Sequence, residues 1–188
     1  MKHILKPAFS LFLIAAVSTV LLGFVRNITL EPIANQRKKT LENTMKTILG
    51  EASVFNKISG EKNGNITAVY EGRTGDTVVG YVVELAAPGY SGDISMMVGI
   101  SGLKDEVSGM RILRHTETPG LGAQAVRPEF FRKYDGRALV PLNVVRSSPG
   151  VNDIEAITSA TITTRAVTGA VNEAIEWYKK HISGAGRR

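Results

Sequence analysis

Residues 77–85, which read Thr-Val-Val-Gly-Tyr-Val-Val-Glu-Leu, are the stretch that decides the fold class. β-Branched and aromatic residues dominate it, as is typical of a β-strand. Three further stretches share this composition and are bounded by Gly or Asp: residues 66–70, 94–100 and 107–115. Gly75-Asp76 and Lys104-Asp105 lie between neighbouring stretches and suit turns. The pattern therefore predicts an antiparallel β-sheet.

Helical patterns flank this predicted sheet. From Thr161 onward, apolar residues recur at helical spacing: Val167, Ala170, Val171, Ala174, Ile175, Tyr178 and Ile182. Gly184 and Gly186 are expected to end that helix. A short helix is predicted over residues 128–134, and residues 138–145 are a further strand or an extended segment. Residues 51–65, with Gly60 and Gly64, read as turns. The predicted fold class is α+β, an antiparallel β-sheet packed with helices.

An uncharged apolar segment covers residues 8–25. At about 1.5 Å per residue its length nearly matches the roughly 30 Å hydrocarbon core of a bilayer. Lys6 and Arg26 can extend to the headgroups and make up the difference. The competing interpretation is a cleaved signal peptide, but the apolar run ends directly at Arg26, without a small-x-small cleavage site. We therefore predict a single N-terminal transmembrane helix in the lipid bilayer.

The charges around this segment bear on orientation. Lys2 and Lys6 precede it, Arg26 follows it, and no acidic residue occurs before Glu31. The positive-inside rule thus favours a cytoplasmic N-terminus and an extracytoplasmic domain, although the basic triplet at 37–39 weakly favours the reverse. Glu31-Pro32 is expected to open a second helix that stops at Gly50. The predicted organisation is an anchor at residues 1–26, a connecting helix at 27–50 and a domain at 51–188.

Composition excludes several classes of function. The chain has no cysteine, which excludes disulfides, iron–sulfur ligation and thiol catalysis. Its histidines, His3, His115 and His181, are too scattered to predict a metal site. The formal net charge is +6, yet the basic clusters are short and lack interleaved aromatic residues, so nucleic-acid binding is not expected. No triad or acid–base pair stands out, and we predict no catalytic residue.

Hydroxyl residues crowd the start of the last predicted helix. Residues 155–164 read Glu-Ala-Ile-Thr-Ser-Ala-Thr-Ile-Thr-Thr. A helix N-terminus presents unpaired amide groups and a partial positive charge, which favour a phosphate group. Ser and Thr are also the preferred N-cap residues whatever the function. From the residues alone, both simple capping and anion binding remain open.

This segment resembles the flavinylation motif Asp-x-x-(Ser/Thr)-Gly-Ala-Thr of FMN-binding subunits in Rnf complexes and the Na⁺-translocating NADH:quinone reductase. In that family the final Thr forms a phosphoester with FMN. The match places Thr158, Ser159, Ala160 and Thr161 on the four closing positions, with Thr161 as the attachment residue. Glu155 replaces the usual Asp, and Ser159 replaces the usual Gly, a change that is harmful if the position needs a positive φ.

Two other loops support the resemblance. Residues 117–122, Glu-Thr-Pro-Gly-Leu-Gly, match a loop of the same family at all six positions. By resemblance Glu117, Thr118, Leu121 and Gly122 line a flavin pocket. Residues 88–92 resemble a turn of the family in which Tyr90 packs near the isoalloxazine ring, although a plain surface turn is the simpler interpretation. His115 adjoins the pocket loop, and Trp177 is expected to pack in the core or an interface.

The resemblance implies an electron carrier that holds covalent FMN, placed on Thr161 by a separate flavin transferase. Chain length favours the G subunit of an Rnf complex over the longer C subunit of the sodium pump. The implied partners are the other subunits of a cytoplasmic-membrane complex linked to ferredoxin and NAD. Two alternatives remain open: a membrane-anchored extracytoplasmic flavin reductase, and a flavin-free assembly module, which the departures at Glu155 and Ser159 would explain.

Overall fold

The computed structural model describes residues 2–59 and 64–183. In these residues the α-helices are α1 (Lys2–Ile48), α2 (Pro128–Phe131) and α3 (Thr161–Tyr178). The strands are β1 (Val54–Ser59), β2 (Ile66–Thr74), β3 (Thr77–Pro88), β4 (Asp93–Ser101), β5 (Glu106–Arg114), β6 (Arg137–Ala138), β7 (Asn143–Val145) and β8 (Asp153–Glu155). The 3₁₀ turns Gly122–Val126 and Arg132–Tyr134 flank α2, and the π-helical turn Lys179–Ser183 follows α3.

A six-stranded sheet forms the centre of the domain. Its strands lie side by side in chain order from β1 to β6, and each pair is antiparallel. A separate small sheet pairs β7 with β8 in parallel. The predicted α+β class and the four predicted strands are confirmed, as are the turns at Gly75 and Lys104 and the helix from Thr161.

The central strands of the sheet are covered on both faces. On one face α3 packs through small and branched residues, and Tyr81 of β3 contacts the rings of Trp177 and Tyr178 at 5.9 and 5.8 Å. Trp177 is therefore a packing residue. On the opposite face lie Ile48 and Leu49, which are 3% and 1% exposed. The apolar surface that α3 buries on its face of the sheet holds this helix, which begins at Thr161, in place.

Glycines in the sheet make room for the last residue of α1, Ile48, and for Leu49, which follows it. A Cβ at position 72 would lie 2.7 Å from Leu49 Cδ2, and one at position 99 would collide with Ile48 Cγ2. Leu49 also approaches the Cβ position of Gly80, at 3.1 Å. The absence of side chains at these positions allows the end of α1 to lie directly on the strands.

The N-terminal helix is continuous, so the predicted helix start at Glu31 is wrong. Glu31 and Pro32 lie inside α1, and the Thr29 hydroxyl donates to the Val25 carbonyl at 2.6 Å as in a regular helix. Pro32 removes one backbone donor, but Leu30 and Glu31 directly before it are both tolerated in a helix, and the helix continues through the proline. The predicted stop near Gly50 is confirmed.

The apolar segment of α1 fits a single-pass membrane helix. Among the described residues, α1 alone is long and apolar enough to span a bilayer, with a mean hydropathy of 2.4 over its best 18-residue window. Its large apolar side chains are mostly exposed, as a lipid-facing surface requires. The chain divides after Glu42 into two compact units. The limits 1–26, 27–50 and 51–188 remain predictions.

Two strands, β1 and β8, were not predicted from the sequence pattern. Strand β1 occupies part of the stretch that we expected to consist of turns, and β8 immediately precedes the hydroxyl-rich segment. The turn expected at Gly64 is present, with a φ of 62°. Gly60, Gly184 and Gly186, which we expected in a turn and at a helix end, lie outside the described residues.

Candidate functional site

A cleft of about 390 Å³ lies where the start of α3 meets two loops of the sheet. It is lined by Tyr90, Glu117, Thr118, Leu121, Gly122, Ser159, Ala160, Thr161, Ile162 and Thr163. Its size falls in the range of small-molecule sites, roughly 300–1,000 Å³. All the predicted site residues except Thr158 meet here.

The first residue of α3 is Thr161, and it is one of the residues that line the cleft. The N-cap residue is Ala160, which supplies no side-chain hydrogen bond to the helix. Simple capping by the hydroxyl-rich segment is therefore wrong. The Thr164 hydroxyl instead donates to the Ala160 carbonyl and accepts from the Ile157 amide, both at 3.1 Å. The first amides of α3 are thus left for a ligand or water.

Ser159 holds the segment in an unusual backbone conformation. Its φ is 65°, in the left-handed region that a glycine adopts without penalty. This position is the one at which the resembling motif has Gly. The position does require a positive φ, so the replacement of Gly by Ser introduces backbone strain next to Thr161.

Thr158 and Glu155 lie on the other side of the same segment. They line a neighbouring groove of about 330 Å³, together with Arg127 and Lys133. Lys133 Nζ donates to the Glu155 carbonyl at 3.2 Å and lies 3.6 Å from the Glu155 carboxylate. Thr158 therefore does not join the other predicted site residues, and Glu155 pairs with Lys133 of the 3₁₀ turn that follows α2.

The loop of residues 117–122 forms the opposite wall. Pro119 and Gly120 make the predicted turn, and the φ of Gly120 is 79°. Gly122 must lack a side chain, because a Cβ there would collide with Glu117 Oε2 and lie 2.6 Å from Thr163 Oγ1. Leu121 keeps 42% of its surface exposed at the mouth of the cleft.

Glu117 is the buried acidic residue of the cleft, at 5% exposure. Its Oε1 accepts from the amides of Tyr90 and Ser91 at 2.8 and 3.0 Å, and its Oε2 accepts from the Thr163 hydroxyl at 2.7 Å. Burial alone would raise the pKa of Glu117. The hydrogen bonds and the nearby His115 outweigh it and lower that pKa, so the carboxylate is charged at neutral pH.

Tyr90 stands at the edge of the cleft in the four-residue loop between β3 and β4. The Gly89 amide donates to the Gly92 carbonyl at 3.0 Å and closes this loop. The Tyr90 ring is 70% exposed. The residue is therefore both part of a surface turn and a lining residue, so the two interpretations of this stretch are compatible. His115 contributes differently, because its Nδ1 accepts from the Glu117 amide at 3.2 Å.

Ile162 and Thr163 also line the cleft but were not singled out from the sequence. Thr163 is 1% exposed and Ile162 is 54% exposed. Their positions one and two residues after Thr161 are the signal in the sequence that could have indicated them. That signal does not identify the partner of Thr163, because Glu117 lies 46 residues away in the chain.

The cleft lies in an FMN-binding domain: a family model of that description matches residues 89–176, which contain every lining residue. A second model, the RnfG N-terminal region, matches residues 1–48. The chain belongs to the family of G subunits of Rnf-type ion-translocating oxidoreductase complexes, and so to a multisubunit assembly, as its curated relatives establish.

Three of these relatives, each the G subunit of its complex, illustrate the similarity. The one from the proton-translocating ferredoxin:NAD⁺ oxidoreductase complex of Clostridium ljungdahlii is 34% identical, over 85% of this chain and 83% of its own. The one from the ion-translocating oxidoreductase complex of Methanosarcina acetivorans is 30% identical, over 94% and 95%. The one from the Na⁺-translocating ferredoxin:NAD⁺ oxidoreductase complex of Acetobacterium woodii is 31% identical, over 95% and 93%.

Among solved structures, the C subunit of the Na⁺-translocating NADH-quinone reductase of Parabacteroides distasonis shares the fold. The TM-score is 0.53 at 20% identity, over 69% of this chain and 77% of that one. This similarity supports the fold alone.

Proposed function

We propose that this protein is the electron-transfer subunit of a membrane-bound, ferredoxin- and NAD-linked ion-translocating oxidoreductase, and that it carries FMN as a phosphoester on Thr161. The observation that carries the proposal is the position of Thr161. It is the first residue of a helix whose N-cap residue makes no side-chain hydrogen bond to the helix, and it lines the cleft within the FMN-binding domain.

The residues of the cleft fit this cofactor. A phosphoryl group on Thr161 Oγ1 would lie beside the first amides of α3 and the positive end of its dipole. Ala160 adds little bulk, so the phosphoryl group can approach the backbone. Leu121 and Tyr90 supply apolar and aromatic surface for the isoalloxazine ring, while Thr118 offers a hydroxyl. These site assignments rest on the geometry and on the resemblance together.

The chain itself supplies position, and bound FMN supplies the redox chemistry. Attachment requires a flavin transferase and FAD: the Thr161 oxygen bonds to the phosphorus of the FMN half, the pyrophosphate bond to the AMP half breaks, and AMP and the proton of the hydroxyl are released. The protein contributes the Thr161 hydroxyl at the start of α3, beside the cleft. A tether suits a domain on the extracytoplasmic side, where a lost cofactor is not readily replaced, and the charges before residue 8 favour that orientation.

Intact mass of the membrane-extracted protein tests the proposal after coexpression with a flavin transferase. We expect the wild-type mass to rise by one FMN less water and the Thr161→Val mass not to rise. Thr158→Val is the matched control: its hydroxyl lies in the neighbouring groove, and we expect full modification. An unmodified wild type made with an active transferase would refute covalent attachment and support the flavin-free assembly module.

A further inference from the structure

The Glu117 carboxylate connects three separate parts of the chain. It projects from the loop after β5. It accepts hydrogen bonds from two amides of the loop between β3 and β4, and one from the hydroxyl of Thr163 in the first turn of α3. All three donors lie at or below 3.0 Å, as in hydrogen bonds to a charged group. Both carboxylate oxygens are thus engaged by the protein itself.

Two glycines allow this close approach. A Cβ at position 89 would lie 2.5 Å from Glu117 Oε1, and one at position 122 would collide with Oε2. The backbone on both sides of the carboxylate is therefore shaped around it. Such packing is expected of a carboxylate that holds its surroundings in place, since a ligand-binding carboxylate needs free access.

We propose that Glu117 is a positioning residue that, together with Thr163, holds the loop that carries Tyr90 against the first turn of α3, two parts of the chain that both line the cleft. The cleft is thereby formed before any cofactor arrives. Glu117 acts on the cofactor through Tyr90 and through the first turn of α3. This inference deepens the proposed function and rests on it for the identity of the ligand.

Hydrogen exchange of the full-length, detergent-extracted protein tests the connection without any flavin. Thr163→Val removes one donor, and we expect the carboxylate to turn toward water and release the Tyr90 and Ser91 amides. Their exchange, resolved by fragmentation mass spectrometry, should accelerate about tenfold, since each hydrogen bond to a charged group is worth at least that factor. Thr163→Ser keeps the hydroxyl and should restore slow exchange.

Thr168→Val provides a control of similar cost to stability. Thr168 is also a buried threonine of α3, 2% exposed, and its hydroxyl bonds Tyr134 at 2.8 Å, away from the cleft. We expect the melting temperature to fall in both valine variants but exchange at Tyr90 and Ser91 to change only in Thr163→Val. Equal exchange in Thr163→Val and wild type would overturn the proposal, as would equal acceleration in Thr168→Val.

The flavin provides the second readout in the same variants. In loaded protein we expect Thr163→Val, but not Thr168→Val, to change the visible circular dichroism of the flavin and to lower its incorporation severalfold. Unchanged dichroism and incorporation in Thr163→Val would contradict the positioning role. A wild type that takes up no flavin would refute the proposed function alone, because the exchange experiment would still decide whether Glu117 holds the two loops together.

Discussion

At the scale of single residues, the site depends on backbone conformations that the side chains alone do not reveal. Ser159 has a positive φ beside the proposed attachment residue, and Gly122 leaves the space that Glu117 and Thr163 occupy. The conformation of Ser159 is strained, and a glycine would adopt it without strain. Position 122 has room for a glycine only.

Replacing Ser159 by Gly should relieve this strain. A non-glycine residue in the left-handed region costs about 1–2 kcal/mol. Glycine avoids this cost, but it loses more conformational entropy on folding, which offsets part of the gain. We expect Ser159→Gly to raise the free energy of unfolding by up to about 1 kcal/mol and to speed flavin incorporation, measured by thermal melting and by the time course of the mass shift.

Ser148 offers a matched control for that change. It also has a positive φ, 55°, but lies outside the residues that line the cleft. Ser148→Gly should give a comparable rise in stability with no change in the rate of incorporation. Slower incorporation in Ser159→Gly would show that the serine hydroxyl itself is needed.

Some residues of the candidate site could be predicted from the sequence, and others could not. Glu117, Leu121 and Thr161 could be named because they lie in short contiguous motifs. Thr163 could not, because its role depends on Glu117, which meets it only after the sheet and α3 have packed. Thr158 belongs to the motif, yet the turn through Ser159 directs it to the neighbouring groove.

At the scale of elements, the cleft is assembled from the β3–β4 loop, the segment after β5 and the start of α3. Each of these comes from a rigid neighbour: β3 and β4 remain paired up to Pro88 and Asp93, and α3 is packed on the sheet along its length. The Thr116 hydroxyl joins two of them by donating to the Ser91 carbonyl at 3.1 Å, and the buried carboxylate of Glu117 accepts hydrogen bonds from the β3–β4 loop and from α3. Their association should therefore depend on the charge of Glu117.

The stability of the domain should therefore fall at acidic pH through Glu117. Its folded pKa lies below the ordinary value of 4.5, so its contribution is full above that value and is lost as the pH falls through the folded pKa. At neutral pH we expect Glu117→Gln to lower the free energy of unfolding by about 1–3 kcal/mol. Urea melts at several pH values should show this difference shrink below pH 4.5.

A difference between wild type and Glu117→Gln that grows toward acidic pH would contradict this sign. The exposed pair of Lys133 and Glu155 is a suitable comparison. Glu155→Gln should change stability by less than about 1 kcal/mol, because exposed ion pairs contribute little.

At the scale of the whole molecule, strand composition and helical spacing were sufficient to predict the four strands β2 to β5 and the last helix. Strand β1 was missed because its sequence, Val-Phe-Asn-Lys-Ile-Ser, mixes apolar and polar residues at an edge. It becomes a strand by pairing with β2, a long-range contact that local pattern does not contain. The continuity of α1 through Pro32 was not predicted, because Glu31 and Pro32 form a local pattern typical of a helix start. In the structure the helix continues on both sides of that pattern.

The N-terminal helix should remain in the mature protein as its membrane anchor. We expect the extracted protein to have the mass of a chain that retains residues 8–25, and to stay in the membrane fraction after alkaline carbonate washing. Release into the supernatant, or a mass lacking this segment, would favour the cleaved signal peptide. Replacing Leu13 and Ile14, both exposed apolar residues of the helix, by Arg should release the chain because charges near the bilayer centre are costly.

The order of the strands has a consequence for biosynthesis. Because β1 to β6 are neighbours in both chain and space, the sheet can grow as the polypeptide emerges. Thr161 begins α3, which follows all six strands of that sheet in the chain. The proposed acceptor hydroxyl therefore reaches its place only after the strands have been made, and a chain truncated before α3 would offer a transferase nothing to modify. Attached flavin would then mark molecules in which both the sheet and α3 have formed.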